Sequence, residues 1–395
     1  MDIITIKYWV NGDGDISDTS HLSLSSGGAG GASKLTSSDT LIIDENSGGG
    51  VPTGFDLWAW GYNSNGAVGD GTTTDRHSPV QIGSSTWKLI VCSGGSSLGI
   101  LNDDTLWAWG YNSKGQIGDG TTVNRLSPVQ VGSSTWKSIS VGGSHAILND
   151  DTLWGWGQNN LGQVGDGTTT QRLSPVQIGS STWKSISGGS SSSLGILNDD
   201  TLWAWGYNYY GQIGDGGTTT RLSPVQIGSS TWKSIDILAS TSHCILNDDT
   251  LWAWGRNDYG QIGDGGTTER HSPVQIGSST WKSVNGGEYG CLALLNDDTL
   301  WGWGRNSYGE IGDGTTTQRL SPVQIGSSTW KSIGISSQTS HAILNDDTLW
   351  GWGWNRYGAV GDGTTIDRHS PDQIGSSTWK SVAPGGGGHV LGGIE

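Results

Sequence analysis

Apolar and polar residues in this chain alternate with a period of two, and the alternation restarts at a fixed interval. Leu106-Trp107-Ala108-Trp109 puts both indoles on one face of an extended segment, because successive strand side chains point to opposite sides. Trp136-Lys137-Ser138-Ile139-Ser140-Val141 alternates in the same way and continues through Gly142-Gly143 to His145-Ala146-Ile147-Leu148. Gly110 to Gly115 reads as a glycine-bounded loop, and Gln116-Ile117-Gly118 as a short strand cut off by Asp119-Gly120. Ser127 to Gly132 reads as a strand with proline at its beginning, where a missing N–H is tolerated. Asn149-Asp150-Asp151 then returns the chain into Leu153-Trp154, a hairpin signature. No 3.6-residue periodicity persists, so no helix is expected.

The motif Leu-Trp-x-Trp-Gly occurs seven times, its first tryptophan at 58, 107, 154, 203, 252, 301 and 350, with every step 49 residues except one of 47. A period of this length marks a supersecondary unit that cannot bury its apolar face alone. Four short strands in each of seven units predict an all-β fold, a seven-bladed β-propeller; a solenoid is the competing architecture at this period. The chain ends favour the ring. The last copy stops at Gly388-His389-Val390-Leu391-Gly392, which matches Ser144-His145-Ala146-Ile147-Leu148 and lacks the Leu-Trp-x-Trp strand that should follow. The first copy begins with that strand, Leu57-Trp58-Ala59-Trp60, so pairing of the two ends would complete one blade and leave no long free sheet edge. Residues 51–395 are therefore expected to form the propeller and residues 1–50 a separate N-terminal module.

Composition adds that tryptophan replaces the usual aliphatic core: 21 of the 23 tryptophans belong to the repeat, and only Trp9 and Trp354 do not. The formal net charge is −16, but the Asn-Asp-Asp and Gly-Asp-Gly turns of the repeat supply 19 of the 36 acids, which are expected to be solvated. An acidic balance of this kind argues against nonspecific nucleic-acid binding, which requires clustered positive charge. Cys92, Cys244 and Cys291 are isolated and show neither metal spacing nor a disulfide set. The opening Met1-Asp2-Ile3-Ile4-Thr5 lacks a basic n-region and an apolar h-region, and no run approaches the ~20 apolar residues of a membrane helix. The expectation is a protein made in a cytoplasm, without membrane insertion.

Trp-x-Trp-Gly-x-Asn-x-x-Gly-Gln-Ile-Gly-Asp-Gly, then Pro-Val-Gln, then a Gly-x-x-His strand, resembles the regulator-of-chromosome-condensation repeat family over about residues 55–395. The resemblance implies a seven-bladed propeller. It leaves function open, since the family includes nucleotide exchange on a small GTPase, chromatin docking and inhibition of a β-lactamase by one propeller face. The near-identity of the copies is similar to bacterial and phage members. In residues 1–50, Lys7-Tyr8-Trp9-Val10-Asn11-Gly12, a Ser25 to Ser33 Gly/Ala/Ser run and Ser38 to Asp44 resemble N-terminal modules of phage virion proteins. Read without that resemblance, residues 3–10 and 40–44 are two strands around a flexible Gly/Ser stretch.

Catalytic readings find no support in the residues. His145, His243, His341 and His389 fall at one template position, where other copies read Ser97-Leu98, Ser193-Leu194 and Gly290-Cys291. A position that accepts leucine points to a structural role. One Asp per Gly-Asp-Gly turn cannot supply a calcium site, and the glycine-rich segments lack the Lys-Ser/Thr ending of a phosphate loop. No enzyme, cofactor or metal is expected.

Because the copies are so alike, their differences carry information. Variation concentrates in the loop after Trp-Gly: Tyr207, Tyr209, Tyr210, Arg256, Tyr259, Arg305, Tyr308, Trp354, Arg356 and Tyr357 are candidate partner-binding residues. Of six basic residues outside the template, Lys114, Arg256, Arg305 and Arg356 lie in this loop. Equivalent propeller loops emerge on one face, and Tyr, Arg and Trp dominate interface hot spots. Drift among duplicated copies explains the same variation without a partner. The leading expectation is a non-enzymatic phage virion structural protein, a tail fibre or capsid decoration. Its N-terminal module would join other virion proteins, and its propeller would bind a host-surface receptor or a protein partner, with homo-oligomerisation allowed. The alternative is a bacterial protein-binding propeller acting as inhibitor or adaptor. A eukaryotic-type exchange factor is disfavoured by the acidity and the copy identity.

Overall fold

The computed structural model describes residues 6–8, 22–24 and 54–394 except 141, 143, 386 and 387. It divides into two units, Met1–Thr53 and Gly54–Glu395. In the first, Ile6–Tyr8 pairs antiparallel with Leu22–Leu24. The expected strand at 40–44 and the Gly/Ser run lie outside the described residues, as does most of the segment assigned to virion attachment.

The second unit is all β. Its strands form one closed ring of antiparallel neighbours, three continuous strands per repeat, and among the described residues no helix is long and apolar enough to cross a membrane. The third strand of each repeat is long and bent. In Arg172–Gly188 the first half pairs with one blade (Gln177 opposite Trp154) and the second half opens the next (Trp183 opposite Leu197). The change of partner falls between Thr182, still opposite Thr152, and Trp183, shortly after an irregularity that contains Gly179 (φ +60°). One strand therefore serves as the outer strand of one blade and the inner strand of its neighbour, so each blade has four strands although each repeat has three. The short strand expected at Gln116-Ile117-Gly118 is instead a turn, because Asn112 Oδ1 takes the Ile117 N–H (3.0 Å) that a neighbouring strand would need.

The ends close as expected. His389–Ile394 lies between the inner strand ending at Pro384 and the N-terminal Phe55–Gly61, with Leu391 opposite Ala59 and Gly392 opposite Trp58. The register corrects the sequence alignment by two residues. His145, His243 and His341 sit opposite the residue between the two tryptophans of their blade, a place taken by Leu98, Leu194, Leu292 and Leu391 elsewhere. His389 instead faces Gly61. Packing sets this register: a Cβ at Gly392 would lie 2.4 Å from Trp379, so only glycine fits beside that indole.

The three template tryptophans have separate duties. The second (60, 109, 156, 205, 254, 303, 352) is wholly buried and donates its indole N–H to a backbone carbonyl of the preceding repeat at 2.9–3.1 Å, riveting blade to blade. Burying one indole removes ~150–250 Å² of apolar surface, roughly 4–6 kcal/mol at ~25 cal/mol per Å². A ring of these residues thus substitutes for Phe and Met, which occur once each. The third tryptophan (87, 136, 183, 232, 281, 330, 379) is also buried, whereas the first lies half-exposed at the rim.

The inner strands line an axial channel with a cavity of about 360 Å³. There, a side chain of one blade holds the backbone of the next. Ser140 Oγ accepts the Gly188 N–H (2.6 Å), Ser187 Oγ that of Ile237 (3.1 Å) and Asn285 Oδ1 that of Ile335 (2.7 Å). The Asp236 carboxylate takes the Gly286 N–H in the same way. At the following junction Gly334 offers no acceptor and Pro384 has no N–H to give; a Cβ on Gly334 would meet the proline ring at 2.5 Å.

Candidate partner-binding face

Each variable loop is built on an invariant polar knot. In the sixth repeat, Asn306 Nδ2 donates to Asp313 Oδ1 (3.1 Å) and to the carbonyls of Thr315 (3.1 Å) and Thr317 (3.2 Å), while its Oδ1 accepts the Ile311 N–H (2.9 Å). Asp313 Oδ2 in turn accepts from Arg319 Nε (2.6 Å). The same Asp–Arg pair recurs in all seven repeats, with the Asp side chains only 6–11% exposed. The expectation that the Gly-Asp-Gly acids are solvated is thereby corrected: an arginine six residues on, together with the Asn amide, makes burial tolerable. Burial raises the Asp313 pKa, but hydrogen bonds from Thr315 and Arg319 outweigh it and hold the carboxyl below its ordinary range. In the Asn-Asp-Asp turns the first Asp is exposed, as expected, whereas the second is half-buried and pairs with the template lysine.

This knot holds the variable side chains up and close together. Starting in the fourth repeat, Tyr207 stacks on Tyr209 (6.2 Å between centroids) and Tyr209 meets Tyr210 edge-on (5.0 Å). The Arg256 guanidinium lies 5.2 Å from the Tyr210 ring centre and 5.7 Å from that of Tyr289, which also meets Tyr259 (5.4 Å). Arg305 lies over Tyr289 (4.4 Å) and Tyr308 (5.6 Å). Tyr308 approaches Trp354 (6.2 Å), Trp354 meets Tyr357 (5.4 Å), and Tyr357 contacts Arg356 (5.7 Å) and Tyr62 (4.9 Å). All ten residues singled out in the sequence thus join one unbroken series of ring and guanidinium contacts across neighbouring blades.

The members differ in exposure. Tyr209 is 63% exposed, whereas the Arg305 side chain is only 14% exposed and bonds Glu310 (2.9 Å), the acid that replaces a template glutamine. Arg305 therefore positions Tyr289 and Tyr308 rather than standing free, and Arg256 is held by Asp258 at 2.6 Å. Tyr289 was not among the expected residues. It sits in Gly287-Glu288-Tyr289-Gly290, the inner hairpin, where the two preceding copies carry Ser191 and Ser240; departure from the template in that second loop was the available signal. A hydrogen bond with Glu288, then burial, raises its phenol pKa.

The remaining chemistry-bearing groups are structural. His145, His243 and His341 are buried, each donating Nε2–H to a backbone carbonyl (3.1, 2.8 and 3.2 Å), and His389 reaches Ser97 Oγ (3.1 Å). Burial lowers the pKa of all four to about 4. Cys92, Cys244 and Cys291 are free and buried, and burial pushes each thiol up. Among the described residues no group of three His, Cys, Asp or Glu is placed to hold a metal ion.

The profile of the regulator of chromosome condensation (RCC1) repeat matches seven successive segments, 56–100, 103–148, 150–196, 199–246, 248–294, 297–343 and 346–391. The chain belongs to this family. A second RCC1 repeat profile matches residues 87–116, 183–212 and 281–310. The RCC1 matches begin at residue 56 and do not extend into residues 1–50. No curated protein sequence matches the chain significantly. Among solved structures, yeast Prp20p, described with its binding properties to Gsp1p and histones, aligns at TM-score 0.79 and 19% identity over 86% of this chain and 91% of its own. Human WBSCR16 aligns at 0.78 and 18% over 86% and 99%, and yeast RCC1 (Prp20) bound to Kap60 at 0.78 and 18% over 92% and 97%. At these identities the likeness is one of fold.

Proposed function

We propose that this RCC1-repeat propeller is a non-enzymatic protein-binding module, an inhibitor or adaptor, that holds its partner on the Tyr/Arg/Trp face. The observation that carries the reading is the unbroken contact series from Tyr207 to Tyr62. Rings braced by guanidinium groups offer large contact area with little side-chain entropy left to lose on binding. Protein partners described for the yeast relative point the same way. The series crosses several blades, more than drift within single loops would be expected to align.

The test is affinity capture from the native source, then titration of the recovered partner against a variant with Tyr210, Arg256, Tyr259 and Trp354 changed to Ala. Each true anchor should cost about 2 kcal/mol or more, and circular dichroism of the variant controls for folding. Affinity equal to wild type would remove this face from consideration. A virion location, with residues 1–50 joining other virion proteins, rests on the sequence resemblance of that segment. Electron microscopy of particles from the same source tests it, and free monomer without particles would reject it.

A further inference from the structure

A second kind of site lies where blades meet, and none of the twelve residues of the contact series borders it. Clefts of about 400, 410 and 340 Å³ occur at three junctions and are built from the same template positions. The first is bordered by Asp313, Gln324 and Ser328 on one side and by Trp330, Trp350 and Ser370 on the other. Its size falls in the range of small-molecule pockets, ~300–1,000 Å³.

The groups around it select a ligand class. Asp313 is fully engaged: Oδ2 by Arg319 (2.6 Å), Oδ1 by the Thr315 N–H (3.0 Å), the Thr315 hydroxyl (2.7 Å) and Asn306 (3.1 Å). The carboxylate therefore has no vacancy for an amine or a metal ion, and the arginine balances its charge. Trp350 gives its N–H to Thr348 Oγ1 (3.0 Å), so a half-buried ring face is what it offers the cleft. Gln324, Ser328 and Ser370 are exposed, and the Gln324 amide makes no hydrogen bond within the described residues. Trp330 is 3% exposed, yet its indole N–H meets no acceptor, and the same is true of Trp87, Trp136, Trp183, Trp232, Trp281 and Trp379. A buried donor left without an acceptor is rare enough to call for a missing partner. A neutral cleft with an aromatic face, ringed by free amide and hydroxyl groups, is complementary to a ring that is apolar on one side and hydroxylated at its edge.

We propose that the blade junctions are pyranose-binding sites for a neutral, repeating glycan. The ring stacks on the first template tryptophan, and the Gln amide and Ser hydroxyls bind its hydroxyl groups. Repetition around the rim turns weak single sites into strong binding of a polymer, by ~10²–10⁴ when several engage. One junction carries a built-in difference. Gln81 Nε2 already donates to Asp56 Oδ2 (3.1 Å), so its amide is committed.

The experiment uses the full chain and saturation-transfer NMR with the methyl pyranosides of glucose, galactose, mannose and N-acetylglucosamine at millimolar concentration. At least one should receive saturation on the C–H protons of a single ring face. Changing Gln130, Gln177, Gln226, Gln275, Gln324 and Gln373 together to Ala should weaken its binding about tenfold, the loss of one hydrogen bond per site, while Gln81→Ala leaves it unchanged. These side chains are exposed, so circular dichroism and the melting temperature should not move. No transfer to any of the four sugars would overturn the proposal. So would transfer that survives in the sixfold variant, and so would transfer to a proline-rich peptide alone.

Discussion

Asp236 is the one carboxylate among the described interblade staples, and changing it to Asn isolates the effect of its charge. Ser140, Ser187 and Asn285 perform the same task as neutral groups, and Asn285 shows that an amide oxygen fits, at 2.7 Å from the Ile335 nitrogen. Burial pushes the Asp236 carboxyl up from 3.8 to about 7, only partly offset by the Gly286 N–H. The folded protein thus binds the proton more tightly than the unfolded chain. The stability this confers is present below pH 3.8 and is lost as pH rises through 7. A shift of about three units at ~1.36 kcal/mol each gives a penalty of about 4 kcal/mol at pH 8. Asp236→Asn keeps the acceptor and removes the penalty. The variant should match wild type near pH 4, gain by about 1.4 kcal/mol per unit above that, and level off near pH 7, at about 4 kcal/mol. Urea unfolding of both chains at a series of pH values measures the gap. A gap that does not change with pH, or a variant weaker than wild type throughout, would refute the assignment of a buried, charge-penalised carboxyl.

The buried histidines act in the opposite direction. With a folded pKa of about 4 against 6.5, His341 contributes stability that is present above pH 6.5 and lost as pH falls through 4. Leu292 occupies the same register opposite a glycine, so His341→Leu should fold and flatten the acid limb of a melting-temperature profile; an unchanged limb would exclude the residue. Trp254→Phe removes the rivet to the Gln212 carbonyl and should cost about 1–3 kcal/mol in denaturant titration. Trp203→Phe, whose N–H bonds only the neighbouring Thr201, should cost less than half as much. Asp313→Asn leaves Arg319 without its charge partner and should lower stability by about 1–3 kcal/mol while exposing the Asn306 loop to proteolysis.

Much of this protein could be read from residue order alone. The interval between tryptophan pairs, the alternation around them and the split copy at the two ends led to seven blades and a closed ring, because repeat length and side-chain period are properties of the chain itself. The loop residues could be found in the same way, as departures from a template. What required the tertiary structure was every feature that depends on which segments become neighbours. Arg172–Gly188 is a single bent strand shared by two blades, since strand identity follows hydrogen-bond partners and these change between Thr182 and Trp183. His389 lies two residues from its apparent template place because the terminal strands register on the packing of Gly392 against Trp379. Tyr289, from a different loop, joins the contact series between Arg256 and Arg305. Asp236 looks like any exposed acid in the sequence and becomes a titrating staple only once the inner strands close around the channel. Burial and charge environment belong to the assembled ring, not to the residue, and no local pattern can carry them.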